Sequence, residues 1–382
     1  MFQKQLTFFV FIGIIITKER KKKMKFVHMA DLHLDTPFTS LNEVEGLGEK
    51  RRLEQRKVVK EIVEYIQKED IPYFFIAGDL YEEGYAREST ISYINGLFQT
   101  IPNTKIYITP GNHDPYLKNS FYQTYPWSPN VHIFTEKLEK IEEPECSIYG
   151  FGFNDFYRFQ NPISELKLEH PEKINICITH GSLEGGTEDR QYNPMTKGEL
   201  KRIGFDYVAL GHIHKTNYGE EENQTIFYPG STIALGFDEL GEHGILVGDI
   251  TKTKKQIQFI RMDPKQYVEL PIDISKDTSK EEVIEHIQSV SLEPQNLYKI
   301  VLVGTRNFEI NILELLKQIE VENIIKIKNK TKIQYNLETL QTENTLKGIF
   351  VRKVLEQKAN YSEEYIQNVI EIGLDALTGR KE

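Results

Sequence analysis

The chain alternates short apolar runs with segments of helical periodicity from residue 25 onward. Residues 25–30, 73–77 and 105–109 are mainly apolar runs of strand length, which is typical of strands buried on both faces. Residues 50–69 and 89–99 carry apolar positions at helical spacing. Strands that alternate with helices predict an α/β fold in which a sheet is covered by helices.

Later apolar runs continue this pattern at first and then follow one another without intervening helices. The runs at 173–179 and 207–210 again have strand length. The runs at 224–229, 244–250 and 256–260 then follow one another without helices between them, which predicts antiparallel strands. The sheet structure is therefore expected to be mixed.

The first 23 residues have a different pattern. An apolar run, 6–16, is followed by a basic segment, 18–23. A spanning helix needs roughly 18 or more apolar residues, and a secretory signal carries its basic residues before its apolar core. Residues 1–23 are therefore interpreted as an upstream extension without a role in the fold, and no stable membrane span is expected. The alternative is a short peripheral membrane anchor with a basic collar.

Composition is that of a folded protein from a reducing compartment. Aromatic residues make up 11% of the chain, enough to fill a core. The formal net charge of −10 excludes a generally basic protein that coats nucleic acid. The two cysteines, Cys146 and Cys177, allow neither a disulfide framework nor a cysteine-built metal site, so a cytoplasmic location is the default.

Polar residues directly follow the apolar runs, at the end where each predicted strand stops. In α/β folds this edge of a sheet carries the functional loops, because buried strands hold them rigidly. The candidates at these ends are acids, an amide and histidines: Asp31, His33, Asp79, Asn112, His180, His212 and His214. In Asp31-x-His33 and His212-x-His214, alternate side chains of an extended segment would project to the same side.

This ligand set predicts a metal centre. Carboxylate, amide and imidazole groups without a thiolate suit Mn²⁺, Fe or Zn²⁺ better than Ca²⁺, which takes oxygen ligands only. Seven ligands exceed the need of one four-coordinate ion. They fit two ions about 3.5–4 Å apart that share a carboxylate and clamp an in-line displacement at phosphorus. Coincidence is the alternative, and four separate glycine-flanked strand ends argue against it.

The motifs, in their order along the chain, resemble those of the calcineurin-like metallophosphoesterases. They are Asp31-Leu-His33, Gly78-Asp79, Gly111-Asn-His-Asp114, Thr179-His-Gly181 and Gly211-His-Ile-His214. Three further segments are similar to SbcD-type DNA-repair exonuclease subunits, including YhaO-like relatives: Ala30-Asp-Leu-His-Leu34, Tyr228-Pro-Gly-Ser-Thr232 and Phe237-Asp-Glu-Leu-Gly241. The resemblance covers about residues 25–264 and implies a four-layer α-β-β-α sandwich. Asp35 is a departure, because these nucleases often have glycine there.

The resemblance implies a role for each motif residue. The residues that would hold the first ion are Asp31, His33 and His214. Those that would hold the second are Asn112, His180 and His212, with Asp79 bridging the two ions. His113 would be the general acid that faces the leaving-group oxygen, oriented by Asp114, and a hydroxide between the ions would be the nucleophile. Mn²⁺ is the expected metal, with Fe or Zn²⁺ as alternatives.

The glycine-rich pattern stops near residue 264, where a lysine- and glutamate-rich region begins. Residues 24–264 are therefore expected to form the catalytic domain, and 265–382 a small C-terminal α/β capping domain that binds partners. Its predicted strand at 324–335 carries four alternating lysines: Lys326, Lys328, Lys330 and Lys332. On one strand face they would form a phosphate track for DNA about 20 Å long. An exposed strand face kept soluble by lysine is the alternative.

The last segment, 362–377, has the pattern of an amphipathic helix with Ser362 as its N-cap. Packing on its own domain is the default interpretation. The resemblance adds an alternative, because SbcD-type subunits work with an SMC-like ATPase and often dock through C-terminal segments. The sequence has no Gly-Lys-Ser/Thr phosphate loop, so any ATP dependence requires another chain. A second copy of the chain is a further candidate partner.

Together these features predict a metal-dependent phosphodiester hydrolase, and the resemblance implies exonucleolytic action on DNA in repair. A phosphodiesterase or phosphatase for a nucleotide or another small phosphoester is the alternative enzyme. A scaffold that binds DNA ends or an ATPase, with structural metals, is the alternative outside the enzymes. The complete ligand set together with His113 argues against the scaffold.

Overall fold

The structure is a computed structural model that describes residues 23–41, 44–184 and 191–377. The apolar run and most of the basic segment of residues 1–23 lie outside these ranges. The two interpretations of that segment therefore stay predictions. Among the helices that the structure describes, none is long and apolar enough to cross a membrane.

The strands and helices alternate through the part of the chain that carries the predicted ligands. In chain order they are β1 (Met24–Met29), α1 (Leu47–Lys68), β2 (Tyr73–Ala77), α2 (Glu88–Gln99), β3 (Lys105–Thr109), α3 (Phe121–Thr124), β4 (Val131–Ile133), β5 (Glu139–Glu142), β6 (Cys146–Gly150), β7 (Ile174–His180), α4 (Lys197–Ile203), β8 (Tyr207–Gly211), β9 (Ile226–Phe227), β10 (Gly244–Ile250) and β11 (Lys255–Arg261). A short 3₁₀ helix at Thr39–Leu41 precedes α1.

The rest of the described chain forms a second set of elements. These are β12 (Tyr267–Asp273), α5 (Lys280–Ser289), β13 (Leu297–Val303), β14 (Thr305–Arg306), α6 (Ile312–Gln318), β15 (Ile324–Asn329), β16 (Lys332–Ile333), α7 (Leu337–Thr342), α8 (Leu346–Leu355) and α9 (Glu363–Leu377).

Two mixed sheets form the first part of the molecule. One has the order β11-β10-β1-β2-β3-β4, in which β1 to β4 run parallel and β10 is antiparallel to β1 and to β11. The other has the order β5-β6-β7-β8-β9. The prediction of an antiparallel strand at 224–229 is wrong. The chain leaves the carboxyl end of β8 and returns before it forms β9, so β9 pairs with β8 in parallel.

Three apolar cores separate the layers, and they confirm the predicted four-layer α-β-β-α sandwich. The helices α1 and α2 bury Ile62 and Ile94 against the outer face of the six-stranded sheet. The two sheets share a second core that includes Phe75 and Tyr207. A third core packs α4, through Leu200, on the outer face of the five-stranded sheet. Burial of these faces is what holds the strand ends in place.

After Asp263 the chain enters a second compact unit, which also takes in Gly236–Gly241. Its sheet has the parallel order β12-β13-β15, and α5 and α6 supply buried residues to the core on one face. This βαβαβ pattern is the α/β arrangement predicted for the capping domain. In α9, the Ser362 hydroxyl accepts a hydrogen bond from the Tyr365 N–H at 3.2 Å, as expected of an N-cap.

The single strand predicted at 324–335 is wrong. Strand β15 ends at Asn329, whose side-chain oxygen accepts a 3.0 Å hydrogen bond from the Thr331 N–H and turns the chain. Strand β16 then pairs with β14 in a separate two-stranded sheet. Only Lys326 and Lys328 of the four lysines lie on β15, at alternate positions of one strand.

Candidate metal centre

The predicted ligands come from loops at the carboxyl ends of β1, β2, β3, β7 and β8. The facing sheets bring these loops into contact. The His212 N–H donates to the Asp31 carboxylate at 2.9 Å, and the His180 Nδ1–H donates to the carbonyl oxygen of Ala77 at 2.9 Å. Hydrogen bonds between backbone and side-chain groups therefore join the two sheets at the site.

The loop backbone is left-handed at four of the ligand positions. The φ angles are 50° at Asp31, 49° at His33, 52° at Asp79 and 103° at His212. The expectation that Asp31 and His33 share a side because the segment is extended is therefore wrong, although both do face the site. Non-glycine residues in this region cost free energy and concentrate at functional sites.

Two glycines allow the loops to approach closely. A Cβ atom at Gly78, where φ is +87°, would lie 2.3 Å from Nδ1 of His180. A Cβ atom at Gly111 would lie 2.2 Å from Oδ1 of Asp79. Any side chain at either position would displace a predicted ligand.

Four predicted ligands form one group: Asp31, His33, Asp79 and His214. One ligand atom from each lies within 4.8 Å of the others. The Nε2 atoms of His33 and His214 are 3.1 Å apart, and Nε2 of His33 is 3.6 Å from Oδ2 of Asp79. These residues are the three assigned to the first ion together with the bridging carboxylate.

The remaining ligands form a second group around the same carboxylate. Nε2 of His180 lies 3.3 Å from Oδ2 of Asp79 and 3.0 Å from Oδ1 of Asn112. Nδ1 of His212 lies 3.2 Å from the same Asn112 oxygen. Oδ2 of Asp79 thus lies within 3.6 Å of a histidine of each group, as expected of a bridging ligand.

The donor set fits cations. His180 donates its Nδ1–H to a carbonyl oxygen, so its Nε2 faces the oxygen atoms of Asn112 and Asp79, where either a proton or a metal ion is favoured. Burial opposes protonation of this ring, but the Asp79 and Asp31 carboxylates raise the pKa of His180 to about 9. Burial and the nearby His180 lower the pKa of His212 to about 3, so that ring stays in its metal-binding neutral form. The cluster therefore stabilises positive charge at its centre.

The carboxylate of Glu82 contacts both a predicted metal ligand, His33, and the predicted general acid, His113. The sequence reasoning missed this residue. Oε1 accepts from Nδ1 of His33 at 2.8 Å, and Oε2 accepts from Nδ1 of His113 at 3.0 Å. Burial opposes ionisation, but hydrogen bonds from the His113 and His33 rings lower the pKa of Glu82 to about 2. Glu82 is therefore ionised and fixes both rings. The available signal was an acid three positions after Asp79 in the same loop.

The orienting role expected of Asp114 is wrong, because its carboxylate is engaged elsewhere. It accepts from the backbone N–H groups of Asp79 at 3.1 Å, Leu80 at 2.6 Å and Gly111 at 2.7 Å, and from the Tyr122 hydroxyl at 2.6 Å. Asp114 thus joins the loops after β2 and β3. The carboxylate on the His113 ring is that of Glu82.

Two of the remaining motif features have structural roles. Asp35 has a φ of 66°, which explains why glycine suits this position, and its carboxylate binds Nη2 of Arg56 at 2.6 Å. In the 228–232 segment the Tyr228 hydroxyl donates to the Gly181 carbonyl at 2.7 Å, and the Thr232 hydroxyl donates to the Ala30 carbonyl at 2.9 Å. Both contacts support loops that carry ligands.

The part of the chain that carries this geometry matches a known protein family. The family model for calcineurin-like phosphoesterases matches residues 24–216, the range that contains all seven predicted ligands. The chain belongs to the calcineurin-like phosphoesterase family, whose members bind a dinuclear metal centre.

Three curated relatives are similar over about two thirds of the chain. The "Uncharacterized metallophosphoesterase YhaO" of Bacillus subtilis is 27% identical over 66% of this chain, and this chain spans 64% of its length. The SbcD subunit of the nuclease SbcCD from Staphylococcus epidermidis is 28% identical over 65% of this chain and 72% of that protein. The protein of the same name from Staphylococcus saprophyticus is 24% identical over 65% and 71%, respectively.

Proposed function

We propose that this protein is a metal-dependent phosphodiester hydrolase that cuts DNA, with exonucleolytic action in repair. The observation that carries the proposal is the pair of ligand groups that share Oδ2 of Asp79, with Glu82 and His113 beside them. The relatives named as nuclease subunits favour DNA over a small phosphoester.

The residues that would hold two ions are Asp31, His33 and His214 for one, Asn112, His180 and His212 for the other, and Asp79 for both. A pair of divalent cations, for which Mn²⁺ is our expectation and Fe or Zn²⁺ the alternatives, supplies Lewis acidity and nucleophilic water at neutral pH. The left-handed loops and the hydrogen bonds that fix the ring tautomers orient the ligands before any ion binds.

His113 has the contacts expected of a general acid. Hydrolysis adds water to phosphorus and breaks a P–O bond, and the alkoxide that leaves must take up a proton. The His113 side chain is 46% exposed, so it can reach a bound strand. Its Nδ1 is held by Glu82, which leaves Nε2 to give a proton to the leaving oxygen. Burial would lower the pKa of His113, but Glu82 and Asp79 raise it to about 9, so the ring carries that proton at neutral pH.

Turnover assays test this assignment. The chain from Met24 onward, loaded with Mn²⁺, should cut linear duplex DNA, and His113→Ala should bind the ions but lose about 10²–10⁴-fold in rate. His132→Ala is the matched control, since that partly exposed ring pairs with Glu139 instead. Hydrolysis of bis-p-nitrophenyl phosphate or cyclic nucleotides without DNA cleavage would favour the small-phosphoester enzyme. Bound metal without turnover on any phosphodiester would favour the scaffold.

Lys326 and Lys328 are proposed contacts to the DNA backbone. They project from the same strand, whereas Lys330 and Lys332 follow the turn after it. Because each neutralised phosphate contributes about −0.9 to the salt slope of binding, changing both to glutamate should flatten that slope by about 2. Lys57→Glu with Lys60→Glu is the matched control, since both are exposed lysines on α1. An unchanged slope for Lys326→Glu with Lys328→Glu would leave the lysines as solubilising residues.

A partner ATPase and a cytoplasmic location belong to the same proposal. The nuclease relatives are named as one subunit of a larger assembly. Exposed apolar side chains on the C-terminal helices, such as Ile349, Tyr365 and Ile372, support a contact with an SMC-like ATPase chain. Co-purification with such a chain should fail for Ile372→Glu. Sedimentation of the isolated chain distinguishes this from a homodimer.

A further inference from the structure

A cleft of about 230 Å³ opens directly beside the metal centre. Its lining includes the predicted ligand Asn112 and the proposed acid His113. It also includes three aromatic residues, Phe156, Tyr157 and Tyr192. A group held in this cleft is therefore next to the position where a phosphodiester would react.

Two of the aromatic side chains are exposed. Phe156 is 47% and Tyr157 is 50% exposed, which leaves large apolar ring surface in water. The ring of Tyr157 lies 5.9 Å from that of Tyr192, and Tyr192 lies 4.9 Å from His212, both at an angle of 37°. A row of rings thus leads from the surface to a predicted ligand.

The loop that carries Phe156 and Tyr157 is held by its neighbour Arg158. The guanidinium group donates to three carbonyl oxygens: Gly152 at 2.8 Å, Glu136 at 3.0 Å and Gln160 at 3.0 Å. The Arg158 N–H donates to the Gln191 carbonyl at 2.7 Å, which joins the loop to the segment of Tyr192. The exposed rings therefore sit on a backbone that is fixed in advance, so little conformational entropy is lost when a ligand binds.

The charged side chains of the cleft favour a nucleobase over a phosphate group as its ligand. The charged side chains among its described lining, apart from His113, are the carboxylates of Glu82 and Glu83. Carboxylates repel phosphate oxygens, whereas aromatic faces attract the faces of nucleobases, every one of which offers a π-system.

We propose that Phe156 and Tyr157 form a stacking site for one unpaired nucleobase of the substrate, adjacent to the phosphodiester that is cut. This deepens the proposed function and rests on it for the identity of the substrate. It requires the nucleotide at the site to be unstacked from its duplex neighbours, so frayed or single-stranded ends should be preferred to blunt paired ends.

Binding of oligonucleotides tests the stack independently of turnover. The full chain is titrated in EDTA, so that no cleavage competes, with single strands that carry 2-aminopurine at either terminus or an abasic unit there. The parent should quench 2-aminopurine and should bind the abasic strand about 5- to 150-fold more weakly, the range expected for one stacked base. The double variant Phe156→Ala with Tyr157→Ala should bind both strands equally.

Two further variants separate stacking from damage to the loop. Phe159→Ala removes a 67% exposed ring of the same loop that does not line the cleft, and should keep the parent's ratio. Tyr157→Trp should also keep it. A double variant that retains the ratio, or a Phe159→Ala variant that loses it, overturns the proposal.

Competition with dAMP identifies the source of the base. If dAMP binds as tightly as the strand, and the double variant loses both, the stacking site stands and its ligand is a free nucleotide, which contradicts the proposed action on DNA. If the ratio holds but Mn²⁺ supports no DNA cleavage, the proposed function fails while the stacking site remains.

Discussion

Replacing Glu82 by glutamine tests how the site fixes its histidines. The carboxylate has two acceptor oxygens, and each receives a ring N–H, one from His33 and one from His113. Glutamine has the same shape but offers one acceptor and one N–H donor. One ring must therefore turn its lone pair toward the amide. If that ring is His33, its Nε2 becomes protonated and cannot bind a metal ion.

The size of the effect follows from the lost contact. A hydrogen bond to an ionised group contributes about 1.5–3 kcal/mol. Loss of a carboxylate that orients a metal-ligating histidine typically lowers metal affinity about 10–100-fold, which corresponds to about 1.4–2.8 kcal/mol. The two figures agree, so Glu82→Gln should bind Mn²⁺ about 10–100-fold more weakly and should also slow turnover through His113.

Calorimetric titration of the metal-free chain with Mn²⁺ measures the affinity, and hydrolysis of bis-p-nitrophenyl phosphate measures turnover. Glu83→Gln is the matched control. Glu83 is the next residue in the loop, and in the described part of the chain its carboxylate bonds to neither the His33 ring nor the His113 ring. Parent-like metal affinity and turnover in Glu82→Gln would refute the view that this carboxylate fixes the two rings. Equal losses in Glu83→Gln would assign the effect to the charge of the loop.

Three further perturbations have defined outcomes. Gly78→Ala forces a side chain into the ring of His180 at a φ of +87°, so it should cost at least about 1 kcal/mol of stability and remove one of two bound ions by elemental analysis. Arg51→Met leaves the buried Asp263 without the 2.8 Å contact to its guanidinium partner and should cost about 3–5 kcal/mol in urea unfolding, which Asp263→Leu should partly restore. Burial lowers the pKa of His28 to about 3, below its unfolded value of 6.5, so its stabilising effect is present above pH 6.5 and lost as pH falls. Between pH 7.5 and 5.0 the parent should lose about 2 kcal/mol more than His28→Gln.

The places that the predicted ligands take in the fold could be foreseen, because each follows an apolar run. The strand ends are set by local pattern, and parallel pairing brings the ends of β1, β2 and β3 to one edge of the first sheet and those of β7 and β8 to one edge of the second. The facing sheets then bring the two edges together. The sequence did not predict Glu82, because its partners His33 and His113 are 49 and 31 positions away. Its pairing depends on how two loops meet, and Asp114 next to His113 was the nearer candidate on sequence alone.

Local pattern also failed where a single polar residue redirects the chain. The alternation of lysines across 324–335 fits one long strand, but the Asn329 side chain caps a turn within it and divides it into β15 and β16. The same limitation applies to β9, a two-residue strand whose direction is set by the path of the preceding loop rather than by its own residues. Hydrophobic pattern specifies which segments are buried, while direction and length depend on tertiary contacts.

The loop after β1 contains both strained backbone at two predicted ligands and two buried leucines next to them. Asp31 and His33 are held in left-handed conformations, each of which costs about 1–3 kcal/mol. Between and after them, Leu32 and Leu34 are completely buried, and burial of a leucine side chain contributes about 1.5–3 kcal/mol. The Gln55 amide also binds the carbonyl oxygens of Leu32 and His33 at 2.8 and 3.0 Å. The backbone that points two predicted ligands at the candidate metal centre thus points two leucines into the core, so the stability of the fold maintains the geometry that the proposed chemistry requires.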